Sequence, residues 1–358
     1  MKIKRFISAL LVIACVFALA ACGNQNETQT TTQTTTQTTT SPFAQPDKTG
    51  VTVEGKGVFN KIDYTVYIPS SYNSNEKTPL VMALHGGFQG TTMIDPENRT
   101  LFADFTGLNA YADKYGFIVI YPRQSSENHL FGLDYWNWYT NEERTSAEPQ
   151  ALYDILCEVK KEYNVDEGNI FVGGFSAGAV MAEIMAVTYP EVFAGCCAVA
   201  GISYGAWEFS DYVSTQTNGT SKTNDELVQE IINGMGDKAQ VRKLLVIYGT
   251  ADTMVNPKNP VAAANAWAGA MKQIDSTITS NGKSTESVGN NNISYTKDVY
   301  AELNGEEICT LYTIDGMGHL WPGAKVGVSV EPYFNTDFAF EGAFDASEVM
   351  CQFFGLDK

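Results

Sequence analysis

Ser176 stands in Gly174-Phe175-Ser176-Ala177-Gly178, between the apolar run Asn169–Gly173 and the helix-like run Ala179–Ala186. A serine on a sharp strand-to-helix turn projects its hydroxyl above the sheet. Glycines two residues away on either side leave room for the neighbouring strand and helix. This is the context of a nucleophile elbow, and its chemistry is attack on a carbonyl. A serine hydroxyl is a poor nucleophile at neutral pH, so it needs a base within hydrogen-bond reach and a carboxylate to orient that base. On α/β sheets these three follow in the order serine, acid, histidine. The chain has His85, His129 and His319, and only His319 follows Ser176. It lies in the glycine-rich Asp315–Gly323, after the strand-like Thr310–Ile314, which is where the base belongs. Asp252, just past the strand-like Leu244–Tyr248, is the expected acid. Asp237, Asp275 and Asp315 compete with it; Asp237 precedes that strand, and Asp315 stands too close to His319 in sequence to approach it easily.

Acyl transfer also needs backbone N–H groups aimed where negative charge develops. One is expected from Ala177, just after the nucleophile. The other is expected from His85–Gly90, which follows the buried-strand pattern Leu80–Leu84 and whose glycines let main chain approach a substrate closely. His85 reads as a brace for this loop, and His129 has no informative context. Two tryptophans in Tyr135-Trp136-Asn137-Trp138-Tyr139 suit either packing or a pocket for an aromatic or sugar group. Trp321, two residues past the base, falls near the same pocket by chain geometry. Phe88, Trp136, Trp138 and Trp321 are the candidate substrate-contacting aromatics. Nothing in the cysteine and histidine spacing implies a metal, and the chemistry calls for no cofactor.

Strand-like runs alternate with helical ones from Val51 to Phe354, so the expected fold is α/β, a doubly wound and mostly parallel sheet. Phe102–Tyr115, Pro149–Tyr163 and Ala346–Phe354 read as helices, and Phe117–Tyr121 as a strand stopped by Pro122. Asn259-Pro260 reads as the cap and first position of a helix to Ile274. Two stretches break the alternation. Trp207–Lys243 is mixed and could form a small cap; Asp275–Ser294 is polar and reads as a surface excursion.

With 358 residues, 44% of them hydrophobic, the chain can bury one sizeable core. A net charge of −18 excludes a basic nucleic-acid footprint and disfavours an anionic polymer as substrate. Lys2, Lys4 and Arg5 precede the apolar Phe6–Ala21, which is too short and too early for a spanning helix. It runs into Leu19-Ala20-Ala21-Cys22-Gly23, a bacterial lipobox pattern in which Cys22 becomes the lipidated N-terminus; ordinary signal cleavage is the alternative. Residues 1–21 are thus expected to be a lipoprotein signal peptide. The Thr- and Gln-rich 22–50 reads as a disordered tether, and 51–358 as the folded domain. The protein is then exported and held by its lipid at the outer face of the cell membrane. Cys157, Cys196, Cys197, Cys309 and Cys351 remain; an odd number leaves at least one thiol unpaired, and buried free thiols are the favoured reading.

Taken together, His85–Gln89, Phe105–Asp113, Gly116–Pro122, Trp136-Asn137-Trp138, Gly174–Gly178, Tyr189–Ala194 and Gly316–Gly323 resemble the extracellular polyhydroxybutyrate depolymerase and feruloyl esterase family, which also holds acetyl xylan esterases. The resemblance covers about residues 55 to 355 in order. It implies an α/β-hydrolase fold, a triad on Ser176, Asp252 and His319, oxyanion donors on the amides of Gly87 and Ala177, and a substrate-side tryptophan at Trp321. The implied substrates are esters: feruloyl or acetyl groups on plant cell-wall polysaccharide, or polyhydroxybutyrate and related polyesters. Many members carry a cysteine where this chain has Gly87 and tie that loop with a disulfide; here packing must hold it. A non-catalytic binding lipoprotein is the competing class, for which the ordered serine, acid and histidine would be coincidences.

Overall fold

Short apolar runs that alternate with helices must bury both faces of each central strand, and the chain does so with one sheet between two helical layers. The computed structural model describes residues 41–43, 51–56, 62–87, 101–124, 134–279, 282–288, 293–323 and 344–358. The expectations for the signal segment, Cys22, the tether up to residue 40, Phe88 and His129 lie outside them. In chain order the elements are β1 (Val51–Lys56), β2 (Asp63–Ile68), β3 (Thr78–Leu84), α1 (Leu101–Thr106), α2 (Leu108–Tyr115), β4 (Ile118–Arg123), α3 (Ala147–Glu162), β5 (Val165–Phe175), α4 (Ala177–Thr188), β6 (Gly195–Val199), α5 (Tyr212–Asn218), α6 (Asn224–Met235), β7 (Lys243–Gly249), α7 (Lys258–Ile274), β8 (Lys283–Val288), β9 (Ser294–Leu303), β10 (Glu306–Ile314) and α8 (Ala346–Phe354). These belong to one compact unit, Ser41–Lys358. The Ser41 hydroxyl donates to the Ser74 carbonyl at 2.6 Å.

The strands form one sheet in the order β1-β2-β4-β3-β5-β6-β7-β10-β9-β8. The central run from β4 to β10 pairs parallel. Antiparallel pairs finish both edges. Alternation along β3 divides the core. Leu80, Met82 and Leu84 meet side chains of α3, α4, α6 and α7; Val81 and Ala83 meet those of α1, α2 and α8.

Several local expectations give way to tertiary context. The helix over Phe102–Tyr115 is two helices, broken at Gly107, whose φ of +66° an L side chain rarely adopts. Pro122 does not stop β4 but pairs with Tyr64 of β2. Pairing with β3 has already ended at Ile120, so one side of the strand no longer needs an N–H. Asn259 is not a cap. It is buried inside α7, accepts from Thr220 N at 3.1 Å and donates to the Thr215 carbonyl at 2.8 Å, which holds α5 in place. The polar stretch from Asp275 contains β8, an edge strand paired with β9. Within 207–243, α6 packs Leu227, Val228 and Ile231 into the same core as α4 and α7. It is a layer helix rather than a lid. The five cysteines in the described residues are free thiols.

Candidate active site

β5 delivers Ser176 at its C-terminal end, and α4 begins at the next residue. The serine holds φ +55° and ψ −121°, a strained conformation for a residue with a side chain. Three bonds stabilise it. Its N–H donates to the Val199 carbonyl at 2.9 Å, and its own carbonyl accepts from Ala179 N at 2.9 Å and Val180 N at 3.1 Å. The glycines of the elbow are sterically required. A Cβ on Gly174 would lie 2.2 Å from the Gly178 carbonyl oxygen, and one on Gly178 would lie 2.1 Å from that of Leu84.

Asp252 and His319 arrive on loops after β7 and β10, neighbouring parallel strands. Residues that leave the C-terminal ends of adjacent parallel strands share one edge of the sheet. The two loops are stitched together: Ala251 N donates to the Met317 carbonyl at 2.9 Å, and Gly316 N to the Thr250 hydroxyl at 2.8 Å. Gly249 allows the contact, since a Cβ there would sit 2.0 Å from the Met317 oxygen. Asp252 Oδ1 accepts from Met254 N at 2.8 Å and Val255 N at 2.9 Å. Its Oδ2 lies 2.7 Å from His319 Nδ1, and His319 Nε2 lies 2.8 Å from Ser176 Oγ. A carboxylate only accepts, so Nδ1 carries the proton and Nε2 presents its lone pair to the serine. The ring rests against Phe175, with centroids 4.8 Å apart. Asp315 instead accepts from the Thr250 hydroxyl on the surface.

The loop after β3 ends at this same edge. His85 is buried; Gln124 N donates to its Nε2 at 3.0 Å, and its Nδ1 lies 2.8 Å from the Gly86 carbonyl. Burial drives the ring's pKa down to about 4, so it is neutral at physiological pH. Trp136 Nε1 donates to the His85 carbonyl at 3.0 Å. Behind these lies Glu148 in α3, also buried. It accepts from Asn137 N at 2.8 Å, from Asn137 Nδ2 at 2.6 Å and from the Gln124 side-chain amide. Burial pushes the Glu148 carboxyl up to about 7, against the pull of those donors. Tyr135 covers Gly87, its Cβ 3.7 Å from where a Gly87 Cβ would be. These contacts hold the Gly87 loop by packing and hydrogen bonds. The Ala177 amide is the first of α4, where no intrahelical acceptor exists. Among the described residues neither it nor the Gly87 amide donates to a backbone carbonyl.

The structure therefore brings Ser176, His319 and Asp252 into one hydrogen-bonded line, and His85 takes the bracing position. It does not bring the tryptophans to an open pocket. Trp136 is wholly buried with its N–H on the His85 carbonyl. Trp138 is buried edge-on to Trp207, with centroids 4.8 Å apart. Trp321 is buried edge-on to Phe102, its N–H on the Ser347 hydroxyl at 3.1 Å. Each of the three has apolar cover inside the protein, and the indoles of Trp136 and Trp321 also find an acceptor there. Sequence reasoning missed Gln124 and Glu148; the one signal near them was the Trp136-Asn137-Trp138 cluster.

A mostly parallel sheet with a serine elbow, and with an acid and a histidine on loops at the same edge, defines an α/β-hydrolase. The chain belongs to the Esterase PHB depolymerase family, whose model matches residues 62–261. Poly(3-hydroxyalkanoate) depolymerase C of Paucimonas lemoignei is 29% identical over 260 residues, 72% of this chain and 58% of its own. Acetylxylan esterase A of Emericella nidulans is 27% identical over 215 residues, 58% of this chain and 67% of its own. Feruloyl esterase B of Neurospora crassa is 28% identical over 224 residues, 61% of this chain and 72% of its own. The fold is shared with an acetyl xylan esterase from Aspergillus awamori at a TM-score of 0.60 and 20% identity, over 86% of this chain and 98% of that one.

Proposed function

We propose that the protein is a carboxylic ester hydrolase working through an acyl-enzyme, with feruloyl or acetyl esters of plant cell-wall polysaccharide as its substrates. The observation that carries the reading is the line Ser176–His319–Asp252, with both contacts below 3 Å. Ser176 Oγ attacks the ester carbonyl carbon while His319 Nε2 takes its proton. Asp252 holds the ring and stabilises the imidazolium. The Gly87 and Ala177 amides receive the oxyanion. Collapse breaks the ester C–O bond, and His319 returns the proton to the departing alcohol. Water then repeats the sequence against the acyl-serine, which releases the acid and restores the serine.

Turnover of p-nitrophenyl acetate tests this. Ser176→Ala should lose most of the rate, since removal of a triad nucleophile can cost about 10⁶ in kcat. Equal rates for variant and wild type would end the proposal. Similarity over 72% of the chain to a polyhydroxyalkanoate depolymerase supports a second reading, hydrolysis of short hydroxyacid polyesters. Methyl ferulate, acetylated xylan and polyhydroxybutyrate film assayed side by side separate the two; clearing of film without ferulate or acetate release favours the second. The lipobox pattern ending at Cys22 supports export and lipid anchoring at the membrane's outer face, which incorporation of a labelled fatty acid tests.

A further inference from the structure

We infer that Glu148 is a positioning residue for the oxyanion hole, through a His85 tautomer that aims the Gly87 amide. The inference rests on the reading of Gly87 as an oxyanion donor. Gln124 N points at His85 Nε2 from 3.0 Å. A backbone amide can only donate, so Nε2 holds its lone pair and the one proton of the neutral ring sits on Nδ1. That Nδ1–H donates to the Gly86 carbonyl 2.8 Å away. The Gly86 carbonyl and the Gly87 N–H belong to a single planar trans peptide group, so they point in opposite directions. A bond that pins the carbonyl therefore also sets where the amide points. Trp136 Nε1–H holds the preceding peptide by the His85 carbonyl at 3.0 Å.

Both anchors lead back to one carboxylate. The side chain of Gln124 donates to Glu148 Oε1. Asn137, next to Trp136, donates its backbone N–H to Oε2 and its side-chain N–H to Oε1. Glu148 N donates to Asn141 Oδ1 at 3.1 Å, and Asn141 Nδ2 returns to the Asn137 carbonyl at 2.9 Å. Above the value of about 7 to which burial pushes Glu148, the ionised carboxylate accepts on both oxygens and donates nowhere, so it alone among side chains of this size satisfies all three donors. The carboxylate thus holds Gln124 directly and Trp136 through the adjoining Asn137, and these fix the ring and the carbonyl of His85.

Glu148→Gln preserves shape but sets an NH₂ against donors. Its kcat on p-nitrophenyl acetate, measured at about pH 8 where the wild-type carboxyl is mostly ionised, should fall about ten- to a hundredfold, less than the 10²–10³ of losing a whole donor, with KM changed by no more than about threefold. Inhibition by a phenylboronic acid, which mimics the tetrahedral intermediate, should weaken in step. The ¹⁵N shifts of labelled His85 should report Nδ1–H in wild type and a mixture in the variant. Trp136→Phe removes one N–H without touching Glu148. It should give a smaller effect in the same direction, and it decides the matter if Glu148→Gln does not fold. Wild-type kcat and boronate affinity in the folded variants, with only a lower Tm, would overturn the inference. A wild type that turns over no ester would instead remove the esterase reading, while the His85 shifts still report the tautomer.

Discussion

Asp252→Asn changes one atom and should nearly abolish turnover. The reason lies in what surrounds each carboxylate oxygen. Oδ1 accepts from Met254 N at 2.8 Å and Val255 N at 2.9 Å. In the variant those donors hold the amide oxygen at that position, because an NH₂ there would face two N–H groups. The NH₂ must then take the Oδ2 position, 2.7 Å from His319 Nδ1. Nδ1 becomes the acceptor and the ring's proton moves to Nε2. Nε2 now points a hydrogen at Ser176 Oγ, 2.8 Å away, and cannot receive the serine's proton. The same amide substitution in Ser-His-Asp sites costs about 10⁴ in kcat, or about 5.4 kcal/mol of barrier. The acid is buried and the replacement nearly isosteric, so the fold should hold. Stopped assays with p-nitrophenyl acetate at neutral pH, beside circular dichroism to confirm folding, measure it. A folded variant that keeps more than about a tenth of wild-type kcat would refute the tautomer argument.

Glu183 on α4 is buried, with one oxygen accepting from Tyr204 N at 3.0 Å and the other without a partner among the described residues. Burial pushes its pKa up from the ordinary 4.5 to about 8, so the native state binds this proton more tightly than the unfolded chain does. Its contribution to stability is complete below about 4.5 and disappears as pH rises through about 8. Glu183→Gln, which mimics the protonated form, should flatten the fall of Tm across that window; parallel melting curves would count against it. Cys22→Ala should abolish fatty-acid labelling and release the esterase from the membrane with kcat unchanged. Retention of the variant in the membrane fraction would argue against anchoring there.

Some of this molecule was legible one segment at a time. The elbow announced itself because its glycines, its strand and its helix are consecutive. α8 falls where its amphipathic pattern places it, Ala346–Phe354. Other elements were hidden because their cause lies elsewhere in the chain. β8 and β9 are rich in serine, threonine and charge, and become strands because β10 offers an edge to pair with. Pro122 stays in β4 because β2, not β3, is its neighbour at that point. The aromatics of 135–139 left packing and pocket both open, because composition says that an indole needs apolar cover, not whether protein or substrate supplies it.

The sequence by itself determined the reactive alphabet: one serine on a turn, one histidine after it, an acid between, and the alternation of strands and helices that sends all three to one end of a parallel sheet. That much follows from local periodicity and chain direction. Only the tertiary structure decided which proton sits on which nitrogen. The His85 ring, the Gln124 amide, the Trp136 indole and the Glu148 carboxylate come from four separate elements and meet in a buried space where each donor must find an acceptor. Hydrogen-bond satisfaction in a low-dielectric interior is a property of the assembled neighbourhood, and no stretch of residues encodes it alone.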